Sequence, residues 1–407
     1  MANLFLRPAH FPAPARTIGQ AYAYRFWRPA NAGEWLDLIL AFLIWPFGVL
    51  ACACWYTRKN GGIVAQQSGR SRTLQFLDQL RLSATSGLLP PWYYIFELHR
   101  PGEMERACAY LTRGETKHGA YLLLAEARGS CSPLGDKEDF AHFCAEGQVT
   151  CLPVLFSIHD GELGRCALAG GTLPPVDLFV KPVRGRGGKG AERWDHIGSG
   201  LYRQPGGETL SASRLAERLR AMSLVQSYLV QERARNHPAI ADLSNGALNT
   251  VRMITCLDEQ EQPEIIGAVL RMAVGRNVTV DNVHAGGIAA PIDLRQGRLR
   301  RATYMGIDSS HPWIDRHPDT GATITGRHLP NWQELCELVT RAHSAFNDWA
   351  VIGWDVAIMA DGPRLVEGNS GPDIDLIQRP LRTAFGETRL GELLALHLRR
   401  SEQAWRR

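Results

Sequence analysis

Apolar residues recur at helical spacing in RSRTLQFLDQLRLSATS, residues 70–86, through Leu74, Phe76, Leu77, Leu80 and Leu82. Pro90-Pro91 then breaks the chain. From about residue 150 strand patterns alternate with helical ones. LFVKPV is followed by a glycine-rich loop, the helix SRLAERLRAM and the strand SLVQSYLVQE. NTVRMITCLD and PEIIGAVLRMAVG read as antiparallel neighbours joined by a polar turn at Glu259 to Gln262. NWQELCELVTRAHSAF reads as an amphipathic helix, and a hairpin follows it. Strands paired through hairpins, with helices packed on them, predict an α+β fold rather than a doubly wound parallel sheet.

The first hundred residues differ. LILAFLIWPFGVLACACWY, residues 38–56, carries no charge. As a straight helix it would measure about 28 Å, close to the roughly 30 Å of a bilayer core. It begins too far into the chain and lacks the cleavage site of a removed signal. Pro46-Phe47-Gly48 interrupts its middle. Basic residues flank it equally, with Arg7, Arg16, Arg25 and Arg28 before and Arg58, Lys59, Arg70 and Arg72 after, so no crossing direction is set. A helix–break–helix that dips into the cytoplasmic leaflet and returns fits both facts; a single span and a buried core helix are the alternatives. Four segments are expected: 1–90 helical and membrane-associated, a small mixed α/β domain over 91–150, the main domain over 151–395, and a charged tail over 396–407.

Composition narrows the classes. Of 407 residues, 45% are apolar and 21% charged, with a net charge of +4. Such a chain folds around a sizeable core and has no general attraction to nucleic acid. Its nine cysteines contain no CxxC pair, which suits reduced, buried thiols better than a disulfide framework or a zinc site. The thirteen histidines are scattered, and no nucleophilic triad is expected.

Two stretches carry chemistry. In GWDVAIMADGPRLVEGN, residues 353–369, acids occupy strand positions. A three-residue turn at Ala360-Asp361-Gly362 pairs Met359 with Pro363, setting Asp355 opposite Glu367 with Asn369 on the same face. Two carboxylates about 4 Å apart repel by about 4 kcal/mol at an effective dielectric near 20, so a hard cation such as Mg²⁺ is expected between them. A two-residue turn at Asp361-Gly362 would instead send the acids to opposite faces. In FVKPVRGRGGKGAERW, residues 179–194, Gly185, Gly187 and Gly190 match a dinucleotide-binding pattern, but AERWDHIGSG reads as strand and turn, not helix. The Walker pattern fails because Gly190 follows Lys189. A glycine loop between two strands remains, suited to closing over phosphates, with Lys181 inside the first strand as an ammonium seeking an anion. The alternative is a solvent-exposed glycine turn with a snorkelling lysine.

With SPLGDKEDF, LVQERARNHP, LNTVRMITC and NVHAGGIAAPID, these motifs resemble an ATP-grasp enzyme over residues 130 to 380, and more closely the ATP-grasp proteins associated with sugar transfer in bacterial polysaccharide clusters. The resemblance implies two α+β lobes clasping ATP. Lys137 would enter the nucleotide cleft, Lys181 would meet the phosphates, and Gly185, Gly187, Gly188 and Gly190 would close over them. Gln231 and Glu232 would read adenine at the hinge. The family's second acid, which holds the ribose, is missing from RARNHP, leaving His237 as candidate. Asp355, Glu367 and Asn369 would hold one or two Mg²⁺, with Mn²⁺ as substitute. Arg271 resembles the arginine that steadies the transferred phosphoryl group; Arg252 is a second catalytic candidate. Asn282 and Gly286-Gly287 suggest a loop lining the acceptor site; for Arg252, Asn282 and His284 a structural role is the equal alternative.

The implied reaction is ligation: ATP activates a carboxylate as an acyl phosphate, and an amine or other nucleophile displaces phosphate. The expected substrates are a carboxylate- and amine-bearing small molecule or a lipid-linked glycan, at the cytoplasmic face of a bacterial inner membrane that residues 38–56 contact; a cytoplasmic location is the alternative. A phosphotransferase of the same fold, and a nucleotide-binding scaffold for glycosyltransferases, are the rival readings. The sequence does not fix an oligomeric state.

Overall fold

The computed structural model describes residues 11–29, 31–163, 173–185, 187–275 and 286–405. Among these, two antiparallel sheets form. The smaller lobe contains β1 (Phe156–His159), β2 (Glu162–Leu163), β3 (Leu178–Pro182), β4 (Glu192–His196), β5 (Leu201–Arg203), β6 (Thr209–Ser211) and β7 (Tyr228–Glu232). Their order is β2-β1-β7-β3-β4-β5-β6. The larger lobe contains β8 (Thr250–Leu257), β9 (Pro263–Met272), β10 (Ile288–Asp293), β11 (Arg298–Leu299), β12 (Val351–Met359) and β13 (Gly362–Asn369), in the order β11-β10-β9-β8-β12-β13. The α+β expectation holds, as do the β8–β9 pairing and the helices Ala212–Ser223 and Trp332–Ala345.

Strand alternation divides the larger sheet into two faces. Val251, Met253, Trp354, Val356 and Leu365 point into a core that includes Leu335, Leu338 and Phe346. Ile254, Cys256 and Val269 point the other way, beneath Ile18, Leu124, Leu390 and Leu394. These come from helices α1 (Ala13–Phe26), α4 (Tyr121–Arg128) and α8 (Arg389–Arg400). The helices cover one end of that second face and leave the other end to polar residues. In the smaller lobe Phe156, Val180, Val230 and Trp194 bury one face under Leu215 and Leu219. Lys181 and Leu229, one residue out of phase, face the opposite side.

Several expectations are corrected. The apolar segment does not break at Pro46: α2 (Ala32–Ser68) runs straight through it for 37 residues. Proline deletes only one internal hydrogen bond, and long helical turns on both sides carry the ladder across it. Asn31 caps its start, and Gly69, with φ 73°, ends it. α3 (Arg72–Ser86) packs against its C-terminal half. Residues 91–150 contribute helices and turns but no strand, so the expected small α/β domain has no sheet of its own. The expected tail from 396 is helix up to Arg400, because His397 and Leu398 complete the buried stripe begun by Leu390, Leu393 and Leu394.

The hairpin turn is also corrected, with an instructive outcome. Met359 pairs with Gly362, so the turn is Ala360-Asp361, neither of the turns expected. A regular ladder from that turn would place Val366 opposite Asp355 and Glu367 on the core face. A bulge intervenes: Val356 pairs with Leu365 and Asp355 with Glu367, leaving Val366 as the extra residue. The bulge restores the expected pairing. Gly368 follows, where an added Cβ would stand 2.6 Å from Leu134 and 3.1 Å from Trp354. Gly368→Ala should therefore lower stability by about 1–3 kcal/mol in urea denaturation; an unchanged midpoint would show that the core yields there.

Candidate functional site

Cross-strand pairing builds the site in rows. Val269, Arg252, Asp355 and Glu367 are direct partners across β9, β8, β12 and β13, so their side chains share one face. The next row is Arg271, Thr250, Ala357 and Arg364; the preceding one ends in Gly353 and Asn369. Arg252 Nη2 donates to Asp355 Oδ2 at 3.0 Å, and its Nε donates to Oδ1. Arg271 Nη2 donates to Asp355 Oδ2 at 2.9 Å. Its Nε and Nη2 also donate to Thr250 Oγ1, at 3.1 and 2.5 Å. Asn369 Nδ2 donates to the Gly353 carbonyl at 3.3 Å and lies 3.4 Å from Glu367 Oε1.

The two acids are held in opposite states. Burial would raise the Asp355 carboxyl, but Arg252 and Arg271 outweigh it and hold the group down to about 2. Glu367 is pushed up, first by burial and then by the Asp355 charge. Lys181 is 8% exposed and makes no hydrogen bond or ion pair among the described residues. Burial, with Lys137 adding to it, pulls its ammonium down to about 8 despite the opposing pull of Glu367. The field of Lys181 thus reaches Glu367 and Asp355, on the other lobe, and Lys137.

Lys137 opens helix α5 (Lys137–Glu146), whose N-cap is Asp136. Its Nζ donates to the Gly185 carbonyl at 3.0 Å, tying the helix to the glycine loop. Gly187, Gly188 and Gly190 all adopt φ between 70 and 75°, a left-handed conformation that side chains resist. At Gly190 an added Cβ would also meet Pro182 at 3.2 Å. Gln231 is buried on the Lys181 face, its amide donating to the Leu152 carbonyl at 3.0 Å. Glu232 alternates to the other face and is exposed, so the site does not gather it. His237 Nδ1 accepts the Ala239 N–H at 3.1 Å, as a cap on the turn that follows. Asn282 and His284 lie outside the described residues, while Gly286 and Gly287 lie within them at the start of β10.

Sequence reasoning missed two supports. Thr250 orients Arg271; its position two residues before Arg252 in LNTVRM was the available signal. A second is a polar ladder beneath α5. Glu138 Oε2 meets His159 Nε2 at 2.8 Å, His159 Nδ1 meets Ser227 Oγ at 2.8 Å, and Ser157 Oγ donates to Glu138 Oε1 at 2.6 Å. This Ser–His–Glu sequence of contacts was not expected. It braces α5 against β1 and the residue that precedes β7, one residue from Lys137.

Among the described residues no three His, Cys, Asp or Glu side chains form a metal cage. The donor set of Glu367, Asn369 and Asp355 is all oxygen, which fits Mg²⁺ and not zinc. Glu367, raised by burial and then by the Asp355 charge, fits it as well, since a cation between the two acids would offset that charge.

The family model for sugar-transfer associated ATP-grasp matches residues 120–385. Solved structures similar in fold include D-alanine–D-alanine ligase from Bacillus anthracis complexed with ATP, at 10% identity and TM-score 0.38, covering 67% of each chain. An L-amino acid ligase from Bacillus licheniformis shows 12% identity and TM-score 0.35 over 64% of this chain and 48% of its own. An N5-carboxyaminoimidazole synthetase from Staphylococcus aureus complexed with ADP shows 9% identity and TM-score 0.31 over 59% and 44%. Likenesses this distant carry no information about substrate. No curated protein matches the chain.

The lysine sets a pH dependence. The unfolded chain keeps this proton up to about 10.5 and the folded chain up to about 8, so the charged group costs stability below 8 and the cost fades towards 10.5. An anion bound beside it reverses that sign. ATP affinity, measured by calorimetry between about pH 7 and 9, should fall as Lys181 loses its charge. In Lys181→Arg the fall should vanish, and an equally steep fall there would assign the titration elsewhere.

Proposed function

The chain belongs to the sugar-transfer associated ATP-grasp family, and on that premise we propose that it is an ATP-dependent ligase that activates a carboxylate and couples it to an amine. One observation carries the reading. A buried ammonium without a partner among the described residues faces a carboxylate pair, one member of which is raised. A triphosphate supplies the anion that Lys181 lacks, and its divalent ion supplies the cation that Glu367 lacks.

In this reading the substrate carboxylate oxygen attacks the γ-phosphorus. The P–O bond to ADP breaks and an acyl phosphate forms. The amine nitrogen then attacks the acyl carbon, the C–O bond to phosphate breaks, and the amine loses a proton. A carboxylate is a poor electrophile at neutral pH, so phosphorylation supplies its leaving group. The protein contributes position and charge. Lys181 and backbone N–H groups of the loop from Gly187 to Gly190 bind phosphate oxygens. Arg252 and Arg271, held on Asp355 until phosphate arrives, donate to the transferring group, with Thr250 fixing the angle of Arg271. Mg²⁺ on Glu367, Asn369 and Asp355 would neutralise the phosphate oxygens. Lys137 and Gln231 complete the nucleotide contacts.

The substrate class follows from α2 and from the family's description. Phe47, Trp55 and Leu43 are 74%, 67% and 62% exposed on a helix whose Leu38–Tyr56 stretch is uncharged. Its later turns grip the body. Gln79 Nε2 donates to Thr57 Oγ1 at 2.7 Å, Asn60 Nδ2 donates to the Ile307 carbonyl at 3.2 Å, and Lys59 pairs with Asp308 at 3.1 Å. A helix fixed to the catalytic body and apolar beyond it holds the site against a bilayer, where a lipid-linked glycan or its precursor is within reach. That geometry supports a reading in which the enzyme works at the cytoplasmic face of the inner membrane, in polysaccharide or surface-glycan modification.

Phosphate release from ATP should depend on adding an amine to a pool containing the acceptor carboxylate. Glu367→Ala should reduce it at least about a hundredfold. A phosphorylated product formed without amine would overturn the ligase reading in favour of phosphoryl transfer. The full chain should float with anionic lipid vesicles, and the double variant Leu43→Asp, Phe47→Asp should not, at about 3 kcal/mol per acid in a bilayer core. Flotation of that variant would remove α2 as the anchor.

A further inference from the structure

Beside the nucleotide site lies a cavity of about 740 Å³ between α5, residues 149–154 and His159. Neither Lys137, Lys181 nor Glu367 lines it, but Cys151 does. We propose that Cys151 is an oxidation site whose resolving partner is Cys144, and that the disulfide between them switches off nucleotide binding.

Chain geometry brings the pair together. The Val149 N–H donates to the Cys144 carbonyl at 2.8 Å, closing the end of α5 and turning the chain back along it. Cys151 Sγ then lies 4.0 Å from the Ala141 carbonyl, over the helical turn that carries Cys144. The two thiols interact with each other. They differ in access: Cys151 is half-buried on the cavity wall, and Cys144, 1% exposed, lies behind it. They differ in charge environment too. The hydrogen bond from Cys144, with Lys181 and Arg364, pulls the Cys151 thiol down against its burial; the same bond and burial push Cys144 up. Cys151 is thus the more readily ionised of the two sulfurs and the better placed to attack first.

The site also has leverage. Cys151 forms a parallel bridge to Leu365, with the Leu152 N–H on the Leu365 carbonyl at 2.8 Å and the Leu365 N–H on the Thr150 carbonyl at 3.1 Å. Glu367 stands two residues beyond Leu365, and α5 begins with Lys137 on the glycine loop. A covalent bond from residue 151 to α5 shifts the strand edge that carries Glu367 against the helix that carries Lys137.

The oxidant is a peroxide. The Cys151 thiolate attacks one peroxide oxygen, the O–O bond breaks, and the departing hydroxide takes a proton and leaves as water. Cys144 sulfur attacks the resulting sulfenic sulfur, the S–O bond breaks, and a second water leaves with the Cys144 proton. The two sulfurs together lose two electrons, which reduce one peroxide. A dithiol reverses the bond by exchange.

The full-length protein is treated with hydrogen peroxide and digested without reduction for peptide mapping, while ATP affinity is followed by calorimetry. A Cys144–Cys151 cross-link should appear together with a loss of ATP affinity, and dithiothreitol should restore both. Cys151→Ser and Cys144→Ala should retain ATP affinity after peroxide. Free thiols at both positions, when exposed Cys54 is already oxidised, would overturn the proposal. So would a cross-link that leaves affinity unchanged. Should a variant fail to fold, the wild-type map and affinity still decide. The affinity arm rests on the nucleotide site proposed above; ATP binding without ligation would sink the ligase reading and leave this one standing.

Discussion

Two carboxyl groups facing each other across a bulged hairpin set the terms for everything around them. Asp355 and Glu367 are direct partners on adjacent strands, and a sheet does not hold that pair without help. Help comes from one side as Arg252 and Arg271, both bonded to Asp355. From the facing lobe it comes as Lys181. None of these charges is at rest alone. The arginines satisfy Asp355 and leave Glu367 raised; the lysine is buried, lowered and without a hydrogen bond among the described residues. A ligand that brings both an anion and a divalent cation would relieve each of these at once, which is what the proposed Mg²⁺–ATP reading supplies.

The fold's contribution is to expose only the needed part of one sheet face. Helices α1, α4 and α8 cover Ile254, Cys256 and Val269, and their cover ends where Arg252, Asp355 and Glu367 begin. Strand alternation in the smaller lobe sends Val180 and Val230 inward and Lys181 outward to meet them. The lobes are joined at the edge as well, since residues 150–152 bond to Leu365 before the chain enters β1.

Much of this was legible because strand period and charge disagree in the sequence: acids inside an apolar hairpin and a lysine inside an apolar strand are costly unless they meet. The pairing of Asp355 with Glu367 was legible for the wrong local reason. The turn is one residue shorter than expected and the bulge at Val366 compensates, and no residue type there announces a bulge. Gln231 and Glu232, neighbours on a strand, point to opposite faces, so only Gln231 shares the Lys181 face. Pro46 was weighed as a break, whereas flanking turns carried the helix across it. Thr250 had a signal in its place two residues before Arg252, but the Glu138–His159–Ser227 ladder had none, because it joins residues brought together only by the docking of α5.

The pairing of Asp355 and Glu367 as a divalent-ion site is the claim on which the account turns, and Mn²⁺ reports on it directly. Electron paramagnetic titration of the full chain with Mn²⁺ in the presence of ADP should reveal a tight nucleotide-dependent site that weakens in Glu367→Gln, where the side chain keeps its shape and loses its charge. An equally tight site in that variant would contradict the account.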